Sequence, residues 1–123
     1  MKAHASNFEE RTMNTAAIAV VDLKDWFAAH PNAVLLDVRE DWEHARAAIR
    51  VAGVRGLHIP MLELSSRLHE LEGLQPVVCY CHHGLRSQQV VAFLAHRGHE
   101  SVYNLVGGID AWSMQVDAAV PRY

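Results

Sequence analysis

The chain has few cysteines, no long apolar run and no lopsided charge, and each shortage removes a class of protein. Only Cys79 and Cys81 occur among 123 residues. Two positions apart, they would close a very small, strained ring if joined, so both thiols are expected to be free in a reducing compartment, the cytoplasm. No apolar stretch approaches the roughly 20 residues that cross a bilayer. The longest near the N-terminus is Ala16 to Val21, and no membrane partner is expected. Residues 1–15 mix Lys2, Glu9, Glu10 and Arg11 with Ser, Asn and Thr. They lack the ordered basic, apolar and cleavage zones of a signal peptide and read as a loose N-terminal arm. Lys plus Arg number 11 and Asp plus Glu 14, a formal net charge of −3. The basic residues are scattered, which leaves no footprint for nucleic acid. Repeats, low-complexity blocks and linkers are missing too, so residues 16–123 read as one domain.

What is present is a globular composition, 50% hydrophobic and 20% charged. Short β-branched runs alternate with amphipathic stretches, the pattern of an α/β fold. Val34 to Val38 and Val77 to Tyr80 are apolar runs bounded by turn residues and read as strands buried on both faces. Ile18 to Val21, Gly56 to Ile59 and Ser101 to Leu105 are weaker candidates, for five strands in all. Leu23, Trp26 and Phe27 mark a helix with Asp22 as its N-cap. Met61, Leu64, Leu68 and Leu71 form an apolar stripe between Pro60 and Gly73, the clearest helix pattern in the chain. Val90, Val91 and Leu94 form another, closed by His96, Arg97 and Gly98. Trp42 with Ala45, and Ile109 with Trp112, mark two shorter helices.

The chemistry concentrates where the strand ending at Tyr80 gives way to the helix beginning near Leu85. Cys81 stands at that junction, above a helix N-terminus whose orphan N–H groups and positive dipole end favour an anion; such placement makes a thiol substantially thiolate at neutral pH. Gly84 frees the backbone to curve its amides round one point, as an anion-binding nest. Arg86, in the first turn where the dipole disfavours a cation, calls for a nearby anion and has the forked geometry to hold an oxyanion such as thiosulfate. His82 and His83 can hydrogen-bond an incoming donor, and Ser87 reads as support for the loop backbone. Cys79 lies inside the apolar strand and reads as core. Cys79, Cys81, His82 and His83 are too crowded in sequence to surround one zinc ion, so no metal is expected.

Cys81-His82-His83-Gly84-Leu85-Arg86-Ser87 resembles the active-site loop of the single-domain rhodaneses. Leu36-Asp37-Val38-Arg39-Glu40, His58-Ile59-Pro60 and Gly107-Gly108-Ile109-Asp110-Ala111-Trp112 are similar to further motifs of that family, and together they cover residues 16–113. The resemblance implies a central five-stranded parallel sheet flanked by helices on both faces, sulfur transfer through a persulfide on Cys81, and no cofactor. It places Leu85 in the substrate-binding loop, with Asp37 and Arg39 as supports near it. It also implies a small anionic sulfur donor, a thiol, cyanide or thioredoxin-like acceptor, and a monomer or weak homodimer. One segment departs: where the family often carries Gly-His-Ile-Pro-Gly-Ala, Ala48 to His58 reads Ala-Ile-Arg-Val-Ala-Gly-Val-Arg-Gly-Leu-His, which implies an altered pocket wall.

Two other functions share parts of this pattern. A cysteine phosphatase or arsenate reductase also sets a thiolate and an arginine round an oxyanion, but with the arginine six positions after the cysteine; here Arg86 is five after Cys81 and Ser87 takes the sixth place. A non-catalytic interaction module would keep the fold without needing Cys81, Gly84 and Arg86 together.

Overall fold

A computed structural model describes residues 16–123; the N-terminal arm, residues 1–15, lies outside them. Five parallel strands form one sheet: β1 (Ala17–Ala19), β2 (Val34–Asp37), β3 (Arg55–His58), β4 (Val77–Tyr80) and β5 (Val102–Val106), in the order β1-β5-β4-β2-β3. Three α-helices lie between strands, α1 (Leu23–Ala29), α2 (Asp41–Arg46) and α3 (Leu85–His96), and α4 (Gly108–Gln115) follows β5. Among the described residues no helix is long and apolar enough to cross a membrane.

The apolar runs of β2 and β4 follow from burial on both faces. Along β2, Leu35 points into one core with Leu23, Phe27, Ile109 and Trp112, while Val34 and Leu36 point into the other with Leu64, Leu71, Val91 and Leu94. Along β4, Val78 and Tyr80 join the first core, and Val77 and Cys79 the second, with Cys81 beyond them. The period-two alternation of a strand thus leaves no polar face when helices cover both sides.

Three local expectations are corrected. The Met61 to Leu71 stripe is not an α-helix: it folds as two 3₁₀ segments, Met61–Ser66 and Leu68–Leu71, broken at Arg67 (φ −121°, ψ 18°). Ser65 and Ser66 sit in its middle, and Ser66 Oγ donates to the Glu63 carbonyl at 2.9 Å, a local bond that competes with the helical ladder. Leu64 and Leu71 still point inward, which preserves the apolar stripe in the tighter winding. The first strand ends at Ala19, not Val21, because Val20–Asp22 already winds into a 3₁₀ turn leading to α1. Asp22, in helical conformation (φ −97°, ψ −7°), makes no side-chain cap bond, since the turn before it feeds the helix directly.

The strand order sets where the site lies. From β2 the chain proceeds through α2 to β3 on one side, and from β4 through α3 to β5 on the other. The connections diverge between β2 and β4, and parallel α/β sheets bind ligands beyond the strands' C-terminal ends at such a switch point.

Candidate active site

Cys81 follows β4 at that switch point. Its side chain is buried, and two backbone donors converge on Sγ, the N–H of Gly84 at 3.1 Å and the N–H of Ser87 at 3.3 Å, with Ser87 Oγ, whose proton goes to Asn104 Oδ1, 3.3 Å away. The turn that brings the first amide round requires Gly84 at φ +107°, in the left-handed region. Ser87 Oγ also lies 2.6 Å from Asn104 Oδ1, and Asn104 Nδ2 donates to the Gly84 carbonyl at 3.2 Å. A polar residue in the middle of apolar β5 therefore braces the loop from beneath.

α4 supplies the other brace. The N–H groups of Ile109 and Asp110 donate to the carbonyls of Cys81 and His82, both at 3.0 Å. Such close docking leaves no room at Gly108 (φ +59°), where a Cβ would collide with both of those carbonyl oxygens.

The loop's arginine is engaged. Arg86 donates through Nη1 to Glu43 Oε1 at 2.7 Å and through Nη2 to Glu43 Oε2 at 2.9 Å, so the anion required at the first turn of α3 is a side chain of α2. Arg39, four residues before Glu43, does not pair with its carboxylate. Arg39 reaches only the main-chain carbonyl of Glu43, at 3.3 Å, because its guanidinium belongs to Asp37. All five of its N–H donors find acceptors: Asp37 Oδ1 (2.8 Å) and Oδ2 (2.7 Å), the carbonyls of Glu43 and Ala47 (2.6 Å), and the Tyr123 hydroxyl (2.7 Å). His83 and Leu85 are exposed on the rim, the leucine at 73%. His82 is half-buried and stacks on His83. The altered segment does not wall the cysteine: Ala48, Ile49, Arg50 and His58 line a separate cleft of about 190 Å³ with Asp37, His44 and Tyr80.

A profile of the rhodanese-like domain matches residues 19–115, most of the chain. The chain belongs to the rhodanese-like domain family. It is 34% identical over 79 residues to a thiosulfate sulfurtransferase, GlpE, of Coxiella burnetii, a span covering 64% of this chain and 70% of that one. It is 38% identical over 82 residues to a sulfurtransferase of Allochromatium vinosum, covering 67% and 73%. Among solved structures, a rhodanese-related protein of Thermoplasma volcanium superposes with a TM-score of 0.68 at 30% identity, over 82% of this chain and 93% of that one.

Within this rhodanese-like domain, the electrostatics follow from the pairings. Burial pushes the Asp37 carboxyl up, but hydrogen bonds from Arg39 and His44 outweigh it and hold the carboxyl below its ordinary value. Burial pushes the Cys79 thiol up, which keeps it neutral, as a core residue should be. The hydrogen bonds of Arg86 depress the Glu43 carboxyl from 4.5 to about 2. A depressed carboxyl favours the folded state fully above pH 4.5, and this contribution disappears as pH falls towards about 2. The loss should reach up to about 3 kcal/mol. Urea unfolding between pH 6 and pH 2.5 should therefore show a steep acid limb that is reduced in Glu43→Gln; equal limbs in both proteins would contradict the pairing.

Glu43, Asn104 and Tyr123 are part of this site although none was expected there as such. The signal available for Asn104 was a buried-strand position occupied by an amide. For Tyr123 there was none, as it meets Arg39 across 84 residues of sequence.

Proposed function

We propose that the chain is a sulfurtransferase carrying sulfane sulfur on Cys81. The observation that supports this most is the convergence of the Gly84 and Ser87 amides on Sγ, which stabilises negative charge on a sulfur just beyond the C-terminal end of β4. In the first half-reaction the Cys81 thiolate attacks the outer sulfur of a donor such as thiosulfate. The new S–S bond forms as the old one breaks, and sulfite leaves with that electron pair. In the second, cyanide, a thiol or a thioredoxin-like dithiol attacks the terminal sulfur, takes it away, and returns the electron pair to Cys81 as thiolate. No cofactor or metal enters either step.

The proposed donor is a small anion and the proposed setting the reducing cytoplasm, with the chain acting as a monomer or weak homodimer. Leu85 and His83 form the rim met by the donor, and His82 and Arg86 its sides. Asp37 and Arg39 fix the end of β2 beneath them. The loop spacing favours this reading over a phosphatase, because Arg86 stands five positions after Cys81 and Ser87 takes the sixth place, where a phosphatase loop sets its arginine.

Initial rates measured over a grid of thiosulfate and cyanide concentrations test the scheme. A carrier that releases sulfite before meeting acceptor gives parallel double-reciprocal lines. Intersecting lines would mean that both substrates bind together, and the persulfide scheme would fall.

A further inference from the structure

After α4 the chain turns back towards the loop. The Val120 N–H donates to the Asp117 carbonyl at 3.1 Å, and Arg122 pairs with Asp110, through Nε at 2.9 Å and Nη2 at 3.2 Å. Asp110 is the residue whose N–H holds the His82 carbonyl, so the returning segment is tied to the loop's own brace. Tyr123 then lies flat against His82, ring centroids 4.0 Å apart and planes 8° from parallel, and packs nearly perpendicular to the Trp42 ring, centroids 5.7 Å apart. Its hydroxyl bridges the two arginine systems, accepting from Arg39 Nη1 at 2.7 Å and donating to Glu43 Oε2 at 2.8 Å. Burial is the main cause that pushes this phenol up to about 12, so it remains a donor at any working pH.

We propose that Tyr123 is a positioning residue of the sulfur-carrying loop, orienting Arg86 through Glu43 and His82 through ring stacking. The inference rests on the reading of Cys81 as the carrier. The carboxylate of Glu43 and an incoming anionic donor compete for the same guanidinium. A hydroxyl proton on Oε2 occupies part of the carboxylate's accepting capacity and fixes its direction, so Arg86 faces a weaker and better-aimed competitor. The stacked ring holds His82, the residue next to Cys81, in one orientation on the other side of the loop. His82 is faced by His83, Asp110, Glu43, Arg86 and Tyr123, and burial is the first cause holding its imidazole below the ordinary value.

Two variants separate the contributions: Tyr123→Phe keeps the ring and removes the hydroxyl, and Tyr123→Ala removes both. Steady-state transfer from thiosulfate to cyanide, the His82 titration followed by NMR, Tm, and sulfur loading of wild-type Cys81 are measured together. One neutral-scale hydrogen bond lost from the donor contact corresponds to a rise in thiosulfate KM of about 3–10-fold in Tyr123→Phe. That variant should keep kcat within about twofold and leave the His82 titration in place. Tyr123→Ala should raise KM further and move the His82 titration up towards the ordinary imidazole value. Unchanged KM in both variants, with sulfur still loading on wild-type Cys81, overturns the positioning role and leaves the carrier reading intact. A parallel fall of kcat, kcat/KM and Tm would make Tyr123 merely structural and also overturns it. A wild-type Cys81 that takes up no sulfur overturns both.

Discussion

Serine in place of Cys81 is expected to lower sulfur transfer by on the order of 10³-fold or more while leaving the fold intact. The hydroxyl fits the same position, and the Gly84 and Ser87 amides that point at Sγ can point at Oγ instead. What is lost is a polarizable nucleophile able to hold a second sulfur. Cys79 is the internal control. It is fully buried in β4, its thiol pushed up by burial, and it belongs to the apolar core on the α3 face. Cys79→Ala should cost stability through the small cavity it leaves and retain transfer within a few fold. Thiocyanate formation from thiosulfate and cyanide, measured beside Tm, reads both variants. Transfer surviving in Cys81→Ser but lost in Cys79→Ala would exchange the two roles.

Arg39→Ala should produce the largest loss of stability, about 3–5 kcal/mol, or a fall in Tm of the order of 10–20 °C. Arg39 and Asp37 are 0% and 1% exposed, so removing the guanidinium leaves a nearly buried carboxylate without its main partner. The same change removes one donor each from the carbonyls of Glu43 and Ala47 and from the hydroxyl of Tyr123, loosening the C-terminal end of α2. An Asp37→Asn/Arg39→Met double variant removes both charges and should recover part of the loss. Differential scanning calorimetry or urea midpoints decide this: a single variant within 1 kcal/mol of wild type would mean that the pair is hydrated and structurally dispensable.

The parts of this molecule that sequence reading captured are those whose cause is local. β2 and β4 show as apolar runs because both of their faces are covered, and α3 shows by its stripe and by Gly98, which takes φ +96° at its end. The position of Cys81 followed from the same two elements meeting at Gly84. Features decided by distant partners were not captured. Ser65 and Ser66 gave no decisive sign that the 61–71 stripe would tighten into 3₁₀ turns. Arg86 asked for an anion, but only the packing of α2 against the loop selects Glu43 to supply it, across 43 residues. Arg39 and Glu43 are four apart on the chain and look like a natural pair, yet Asp37 at the end of β2 offers both its oxygens to the guanidinium and takes it.

The most direct test is the accurate intact mass of the purified protein after thiosulfate treatment without reductant, for wild type, Cys81→Ser and Cys79→Ala. The account predicts the gain of a single sulfur atom, resolved from two oxygens by accurate mass and reversed by dithiothreitol, in wild type and Cys79→Ala but not in Cys81→Ser. No reversible sulfur on wild-type Cys81 with thiosulfate or any other sulfane donor, or sulfur that persists in Cys81→Ser, would contradict it.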